Sequence, residues 1–134
     1  MSVLKISQMV RSTDGVVVCP RAHIATNWLA RLKGLLGSDD LAPDEGLWLS
    51  PCSSIHTLGM RYAIDVVFLD RTLQVTAIVA NLKPRRARFG PRGTHSALEL
   101  PAGAAAWQGL AKGDRFQFVA IPHDNHTAET SHVH

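Results

Sequence analysis

The sequence predicts a mainly β domain, an antiparallel sandwich or barrel that carries one amphipathic helix and a short second helical turn. Short apolar runs of strand length recur through the second half of the chain, with proline, glycine, asparagine or aspartate between them. Such close spacing favours antiparallel strands over a parallel sheet with crossover helices. At 134 residues, the chain is long enough for one domain with its own core and short for two.

The first elements are a predicted hairpin and the predicted helix. Residues 3–11 (VLKISQMVR) and the run VVVC flank an Asp-Gly turn, a pattern typical of a β-hairpin. In the segment ATNWLARLKGLLG, residues 25–37, the apolar side chains recur at helical spacing. Thr26 or Asn27 can cap the start of this helix, and Gly34 or Gly37 can end it. These apolar residues are Trp28, Leu29, Leu32, Leu35 and Leu36.

The later elements are predicted strands, one helical turn and a tail. The runs LWLS, SIHTL, IDVVFLD, LQVTAIVANL, SALELP and RFQFVAI are the predicted strands. The segment AGAAAWQGLAKGD predicts the second helical turn, with KGD as a tight turn into the last strand. Residues 1–121 are therefore expected to form one globular domain, and residues 122–134 a flexible polar tail.

Composition and charge exclude several classes of protein. Apolar residues make up 46% and charged residues 19%, the balance of a folded globular chain. The net charge is +3, and the basic residues are spread along the chain except around residues 85–92. Aromatic residues are only 6%, whereas a nucleic-acid reader carries a denser basic stripe with interleaved aromatics. The charge gives weak support for an anionic partner.

Cysteine usage and the N-terminus favour a cytoplasmic protein. Cys19 and Cys52 each lie beside a proline and lack the close spacing of a zinc or redox motif, so two buried thiols are expected. The segment MSVLKISQMVRSTDG has no continuous apolar region, and no stretch approaches the roughly 18 apolar residues that span a bilayer. We expect no membrane span.

The stretch SIHTLGMRYAIDVVFLD, residues 54–70, sets polar groups into a buried strand. Alternation puts Ile64, Val66 and Phe68 on one face and Asp65, Val67 and Leu69 on the other, so both faces are apolar around Asp65. A buried carboxylate needs donors or a cation. The possible partners are His56, Arg61, the later Arg85, Arg86 and Arg88, or backbone amides near Gly59. Asp65 is either a structural acceptor or the group that orients Arg61 or His56 in a ligand site.

His56 has three interpretations of its own. It is a structural histidine, a donor or proton carrier that contacts a ligand, or a metal ligand; the last has least support, because no second histidine lies at ligand spacing in the folded body. Cys52 lies four residues before His56, which raises a thiol and imidazole nucleophile pair. A small buried cysteine explains the same residue without catalysis, since no oxyanion hole or third member is defined.

The segment NLKPRRARFGPRGTHSALELP, residues 81–101, contains four arginines within residues 85–92. Such a cluster binds phosphate, carboxylate or an acidic protein surface, because the planar guanidinium fork suits oxyanions. Its alternative is a solvated loop with salt bridges. Glu99, between two leucines, is a further candidate partner for one of these arginines. In the tail, the spacing of His123, His126, His132 and His134 is too irregular to predict a specific metal site.

Three ordered blocks carry a family resemblance. RLKGLLG, PCSSIHTLGMRYAIDVVFLD and ALELPAGAAAWQGLAKGD together resemble the bacterial and archaeal family called domain of unknown function 192, over roughly residues 15–120. The resemblance implies a compact β-rich domain, sandwich-like or barrel-like. The family has no assigned function, so the resemblance implies no catalytic residues.

The sequence leaves three functions open. In the first, the protein is a small binding module for an anionic or polyhydroxylated ligand, or for a protein segment. Its site consists of His56, Thr57, Arg61 and the basic loop of residues 85–92. In the second, a hydrolase or transferase uses His56 with Cys52 or Asp65. In the third, which has least support, the chain binds nucleic acid weakly. We expect neither a metal nor a cofactor.

Overall fold

A computed structural model describes residues 5–26 and 41–122 of the chain. One short helix, α1 (Ala104–Trp107), lies between the last two strands. In chain order the strands are β1 (Lys5–Arg11), β2 (Val17–Ala25), β3 (Glu45–Leu49), β4 (Ser54–His56), β5 (Ile64–Leu69), β6 (Val75–Leu82), β7 (Ala87–Phe89), β8 (Ser96–Pro101) and β9 (Phe116–Val119).

The strands form two sheets of unequal size. Seven of them make one sheet in the order β6-β5-β8-β3-β2-β1-β9, which curls into a half-barrel. The remaining two, β4 and β7, pair with each other as a separate small antiparallel sheet. The mainly β class with one short helical turn is confirmed.

One strand pair differs from the antiparallel expectation. β2 and β3 run parallel, with Arg21 opposite Glu45 and Ala25 opposite Leu49. Parallel neighbours need a crossover connection of about a dozen residues or more, and the chain between Ala25 and Glu45 supplies one. The amphipathic helix predicted over residues 25–37 falls almost wholly in this connection, outside the described residues.

Local signals at both ends of the chain are confirmed. β1 and β2 pair as the predicted hairpin, and its turn contains Gly15 at a φ of 72°, a left-handed conformation that favours glycine. The turn into β9 closes through a hydrogen bond from the Asp114 amide to the Ala111 carbonyl at 3.0 Å. The predicted helical turn is α1.

Apolar side chains pack on both faces of the large sheet. β5 is buried along its whole length, and its alternate residues enter different cores. Val67 and Leu69 join the first core, which includes Met9, Val18 and Phe116. Val66 and Phe68 join the second core, which includes Leu49, Ile55 and Leu82. A strand covered on both faces reads as a continuous apolar run, which is why the polar Asp65 inside it requires explanation.

Within the part of the chain that is described, no helix is long and apolar enough to cross a membrane.

Candidate functional site

The carboxylate of Asp65 is fully buried and accepts three backbone hydrogen bonds. One oxygen accepts from the Asn81 amide at 2.8 Å, and the other from the amides of Gly103 at 3.1 Å and Ala105 at 2.9 Å. The last two amides belong to the first turn of α1, which has no side-chain cap of its own. Asp65 therefore caps α1 from another element and joins three segments of the chain.

The remaining amide that donates to Asp65, that of Asn81, lies at an irregularity of β6. The register between β5 and β6 shifts between Ile64 and Val66, and Asn81 has a φ of 56°. A residue in this left-handed region at a bulge bends the strand and redirects the chain. The hydrogen bond from Asn81 to Asp65 holds that bend, and the basic segment leaves β6 directly after it.

The expected cluster of cations around Asp65 does not form. Both of its oxygens are engaged by backbone amides, and none of these amides lies near Gly59. Neither His56 nor Arg61 makes a hydrogen bond or ion pair with Asp65 among the described residues, and both side chains are exposed. The arrangement matches the interpretation of Asp65 as a structural acceptor.

Thr57 holds the turn that presents the arginines. Its side chain is fully buried, and its hydroxyl donates to the carbonyl of Lys83 at 2.6 Å. The same oxygen accepts from the amide of Arg86 at 2.9 Å, while the Thr57 amide donates to the Arg86 carbonyl at 2.8 Å. The Thr57 carbonyl accepts from the amide of Arg85 at 3.2 Å. Thr57 thus orders the turn rather than facing solvent.

We call residues 54–57 and 83–89 the basic arm. In it β4 and β7 pair with Ser54 opposite Phe89, Ile55 opposite Arg88 and His56 opposite Ala87. Ile55 is buried in the second core and fixes the arm to the body. His56 alternates with Ile55 and therefore points to the outer face, where it is exposed.

The arginines of the basic arm are exposed and have no carboxylate partner among the residues that the structure describes. Arg85, Arg86 and Arg88 form no ion pair with any described residue. Their described side-chain hydrogen bonds run only to neighbouring carbonyls, from Arg86 to Arg85 at 3.4 Å and from Arg88 to Ala87 at 2.8 Å. The sequence explains this, because residues 71–98 contain six basic residues and no acidic residue. The arm is a patch of one charge sign.

Glu99 does not pair with any of the arginines of residues 85–92, in contrast to expectation. It lies in β8 opposite Val66 on one side and Leu47 on the other, both in the second core. It is 1% exposed, and its Oε2 atom has no hydrogen-bond partner among the described residues. Burial raises the pKa of Glu99 to about 8, so the group is largely protonated at neutral pH.

The cysteines lie in buried positions, as the sequence predicts, and neither forms a disulfide. Burial raises the pKa of the Cys19 thiol to about 12. Cys52 donates from Sγ to the Ser54 carbonyl at 3.1 Å. It lines a cavity of about 350 Å³ in which the histidine is His95, not His56. The thiol hydrogen bond thus goes to a backbone carbonyl, which does not support the proposed pairing of Cys52 with His56.

Sequence reasoning missed the aromatic ring of the arm. Phe89 is 81% exposed, next to Arg88 and at the end of β7. A single exposed apolar side chain is common on protein surfaces, but this one lies in the short strand that also carries Arg88. Its neighbours Arg88 and Gly90, in a segment without acidic residues, were the available signal. The cavity shared by Cys52 and His95 had no such signal, because tertiary structure alone joins those positions.

The fold and the arm together define a class: a small mainly β domain with two sheets, whose smaller sheet carries exposed arginines. The chain belongs to the family called domain of unknown function 192, described as uncharacterized ACR, whose pattern it matches over residues 9–118. It matches no curated protein. Membership fixes the family and the fold but supplies no activity.

Two solved crystal structures have a similar fold. One is a protein of unknown function from Novosphingobium aromaticivorans DSM 12444, with 25% identity, a TM-score of 0.73 and coverage of 85% of this chain and 86% of that one. The other, from Sinorhizobium meliloti 1021, is called a "putative transcription regulator"; it has 19% identity, a TM-score of 0.74 and coverage of 88% and 97%. At that identity the second likeness concerns the fold alone.

Proposed function

We propose that this protein is a small binding module that takes an anionic partner on the basic arm. The observation that carries the proposal is the exposure of Arg85, Arg86 and Arg88 without any carboxylate partner among the described residues. Guanidinium groups that have no internal acid are available to an external phosphate or carboxylate, and their planar forks bind either in pairs. His56 is exposed on the face of the arm opposite to Arg88 and offers a further donor to a partner that covers both faces.

The rigidity of the arm supports the same proposal. Thr57 satisfies both carbonyl and amide groups of the turn, and Arg85 has a φ of 65°, an uncommon conformation for a residue other than glycine. Strained backbone that is held by specific hydrogen bonds is often found at binding sites. A turn fixed in this way presents its arginines with less entropy to lose on binding.

Catalysis by His56 has less support. Asp65 is fully engaged by backbone amides, and Cys52 directs its thiol proton to a backbone carbonyl. General base catalysis requires the base within hydrogen-bond reach of the proton it removes. These hydrogen bonds of Asp65 and Cys52 go to backbone groups and not to His56, so we assign His56 to binding.

The test compares paired charge removals. We expect Arg86→Gln with Arg88→Gln to weaken binding of inorganic tripolyphosphate by about tenfold or more, measured by calorimetry at low salt, because about 1.4 kcal/mol corresponds to that factor. The matched control is Lys5→Gln with Arg71→Gln, which removes two exposed charges outside the arm and leaves binding within about twofold.

The melting temperature separates binding from folding. Because the arm arginines are exposed and make no ion pair with described residues, Arg86→Ala leaves the fold and the melting temperature unchanged. Wild-type protein that binds neither tripolyphosphate nor an oligo-glutamate peptide, or equal losses in both charge pairs, would contradict the proposal.

The cytoplasm is the proposed compartment. Both cysteines are free and buried, a state that a reducing compartment favours. Detection in the soluble fraction together with a cytoplasmic marker checks this assignment.

A further inference from the structure

The outer edge of β7 exposes backbone groups that no strand of the described ranges covers. All three residues of β7 are exposed, and in the described part of the chain this strand pairs only with β4. The Thr57 amide donates to the Arg86 carbonyl, and the Gly90 amide donates to the Ser53 carbonyl. These two hydrogen-bonded pairs flank the register of β4 and β7, and hydrogen-bonded pairs alternate with non-hydrogen-bonded pairs along antiparallel strands. The pair of Ile55 with Arg88 falls in this series.

The intervening residues of β7 therefore turn their backbone groups outward. Ala87 and Phe89 occupy non-hydrogen-bonded pairs, and in such pairs the N–H and C=O groups point away from the partner strand. The Ala87 carbonyl accepts from the side chain of Arg88 at 2.8 Å. The Ala87 amide and both backbone groups of Phe89 make no hydrogen bond with a described residue.

The side chains along this edge divide by chemistry. Phe89 and Ala87 lie on the outer face with His56, whereas Arg88 lies on the face of Ile55. Alternation puts Arg86 on the same face as Arg88. A strand added to this edge would meet an aromatic ring on one side and guanidinium groups on the other.

We propose that β7 binds an extended acidic segment of another protein by strand addition, in which acidic and apolar residues alternate. This inference rests on the proposed function and names its partner. The free Ala87 and Phe89 amides supply main-chain hydrogen bonds, Arg86 and Arg88 face the acidic side chains, and Phe89 faces the apolar ones. The complementarity of charge selects this occupant, because residues 71–98 lack any acid.

Two other occupants fit less well. A second copy of the chain would bring two sets of arm arginines together, and like charges at an edge oppose pairing. A single-stranded nucleic acid satisfies guanidinium groups through phosphate, but it has no regular series of groups to pair with the edge amides. It also gains most from several stacked aromatics, whereas Phe89 is the only aromatic residue of the arm.

The test uses two labelled peptides and two variants of the full chain. One peptide alternates glutamate with valine; the other alternates glutamate with proline, which keeps the charge but has half the amide donors. We expect fluorescence anisotropy to show at least about tenfold tighter binding of the valine peptide, the difference worth about 1.4 kcal/mol. Ala87→Pro, which removes an outward donor, is expected to abolish that preference, whereas Ala87→Ser retains it.

Tripolyphosphate binding distinguishes a failure of strand addition to β7 from a failure of anion binding by the arm. Ala87→Pro and Phe89→Ala are expected to bind tripolyphosphate like the wild type, since neither removes a cation, while Phe89→Ala alone weakens the valine peptide. Equal binding of both peptides by a protein that still binds tripolyphosphate overturns strand addition and leaves the anion site standing. Tighter binding of oligo-thymidylate than of the valine peptide overturns it in favour of nucleic acid, and protein dimers that compete with the peptide overturn it in favour of self-pairing.

Discussion

At the scale of single residues, Asp65 shows how one buried carboxylate organises a region. Its two oxygens accept from the end of β6 and from the first turn of α1. A carboxylate in the interior of a sheet is costly unless it is satisfied, and three amide donors satisfy it without any cation. The same contacts give α1 an acceptor that its own sequence lacks, because Gly103 stands at the capping position.

We expect Asp65→Ala to lower the free energy of unfolding by about 2 to 4 kcal/mol, because three amides lose their acceptor away from water. Urea denaturation measures this loss. The matched control is Asp70→Ala: Asp70 also accepts from backbone amides, those of Thr72 and Gln74, but at a turn where water can replace it. A loss for Asp65→Ala no larger than that for Asp70→Ala would remove its structural role.

At the scale of elements, the basic arm is held by one buried side chain, Ile55, and by the hydroxyl of Thr57. β4 and β7 have three residues each, too few to be stable as an isolated two-stranded sheet in water. Ile55 packs the arm onto the second core, and Thr57 closes the turn that follows β6. The arm is therefore a locally stabilised unit whose opening can be measured separately from global unfolding.

We expect Thr57→Val to open the arm without unfolding the domain, because it removes the bond to Lys83 and the acceptor of the Arg86 amide. Buried groups left unpaired cost about 1 to 3 kcal/mol, which raises the population of the open arm. We therefore expect tryptic cleavage at the arm arginines to be at least about fivefold faster. Thr57→Ser keeps the hydroxyl and serves as the control. Identical cleavage rates for the two variants would mean that the hydroxyl does not hold the turn.

At the scale of the whole molecule, the charges are segregated. Acidic residues that form ion pairs, such as Asp14, Glu45 and Asp114, pair with basic residues of β1 and β2 and, in the described part of the chain, not with those of the basic arm. The two parts of the arm lie in sequence stretches without exposed carboxylates: residues 46–69, where Asp65 is buried, and residues 71–98, which contain no acidic residue. Glu99 adds little negative charge to this region at neutral pH, because its raised pKa keeps the carboxyl group largely protonated.

The raised pKa of Glu99 makes the stability of the fold depend on pH. The folded protein retains the proton up to a pH of about 8, whereas the unfolded chain releases it near its ordinary value of 4.5. The contribution of Glu99 to the free energy of unfolding is therefore largest below pH 4.5. It falls between pH 4.5 and about 8 by up to about 1.4 kcal/mol per pH unit, and it no longer changes above the higher pKa.

Glu99→Gln removes this titration and keeps the shape of the side chain. We expect its free energy of unfolding, from urea denaturation between about pH 5 and 8, to fall less steeply with pH than that of the wild type. The difference between the two curves cancels the groups that both proteins share, including the His23 and Glu45 pair. Parallel curves would show that Glu99 is not the group responsible.

Prediction from sequence succeeded where the signal is local. The Asp-Gly turn, the alternation along β5 and the glycine-terminated helical turn each depend on residues close in the chain, and each is confirmed. The parallel pairing of β2 with β3 was missed, because it depends on where a crossover connection returns the chain to the sheet.

The sequence by itself determined that a carboxylate would be buried in β5 and that a segment rich in arginine would lack acidic neighbours, since alternation and composition are readable without coordinates. Only the tertiary structure decided that these two features are separate. The backbone amides that satisfy Asp65 carry no mark in the sequence, because every residue except proline has one. Which amides reach the carboxylate, and hence which arginines remain free, depends on how the bend at Asn81 and the first turn of α1 pack against β5.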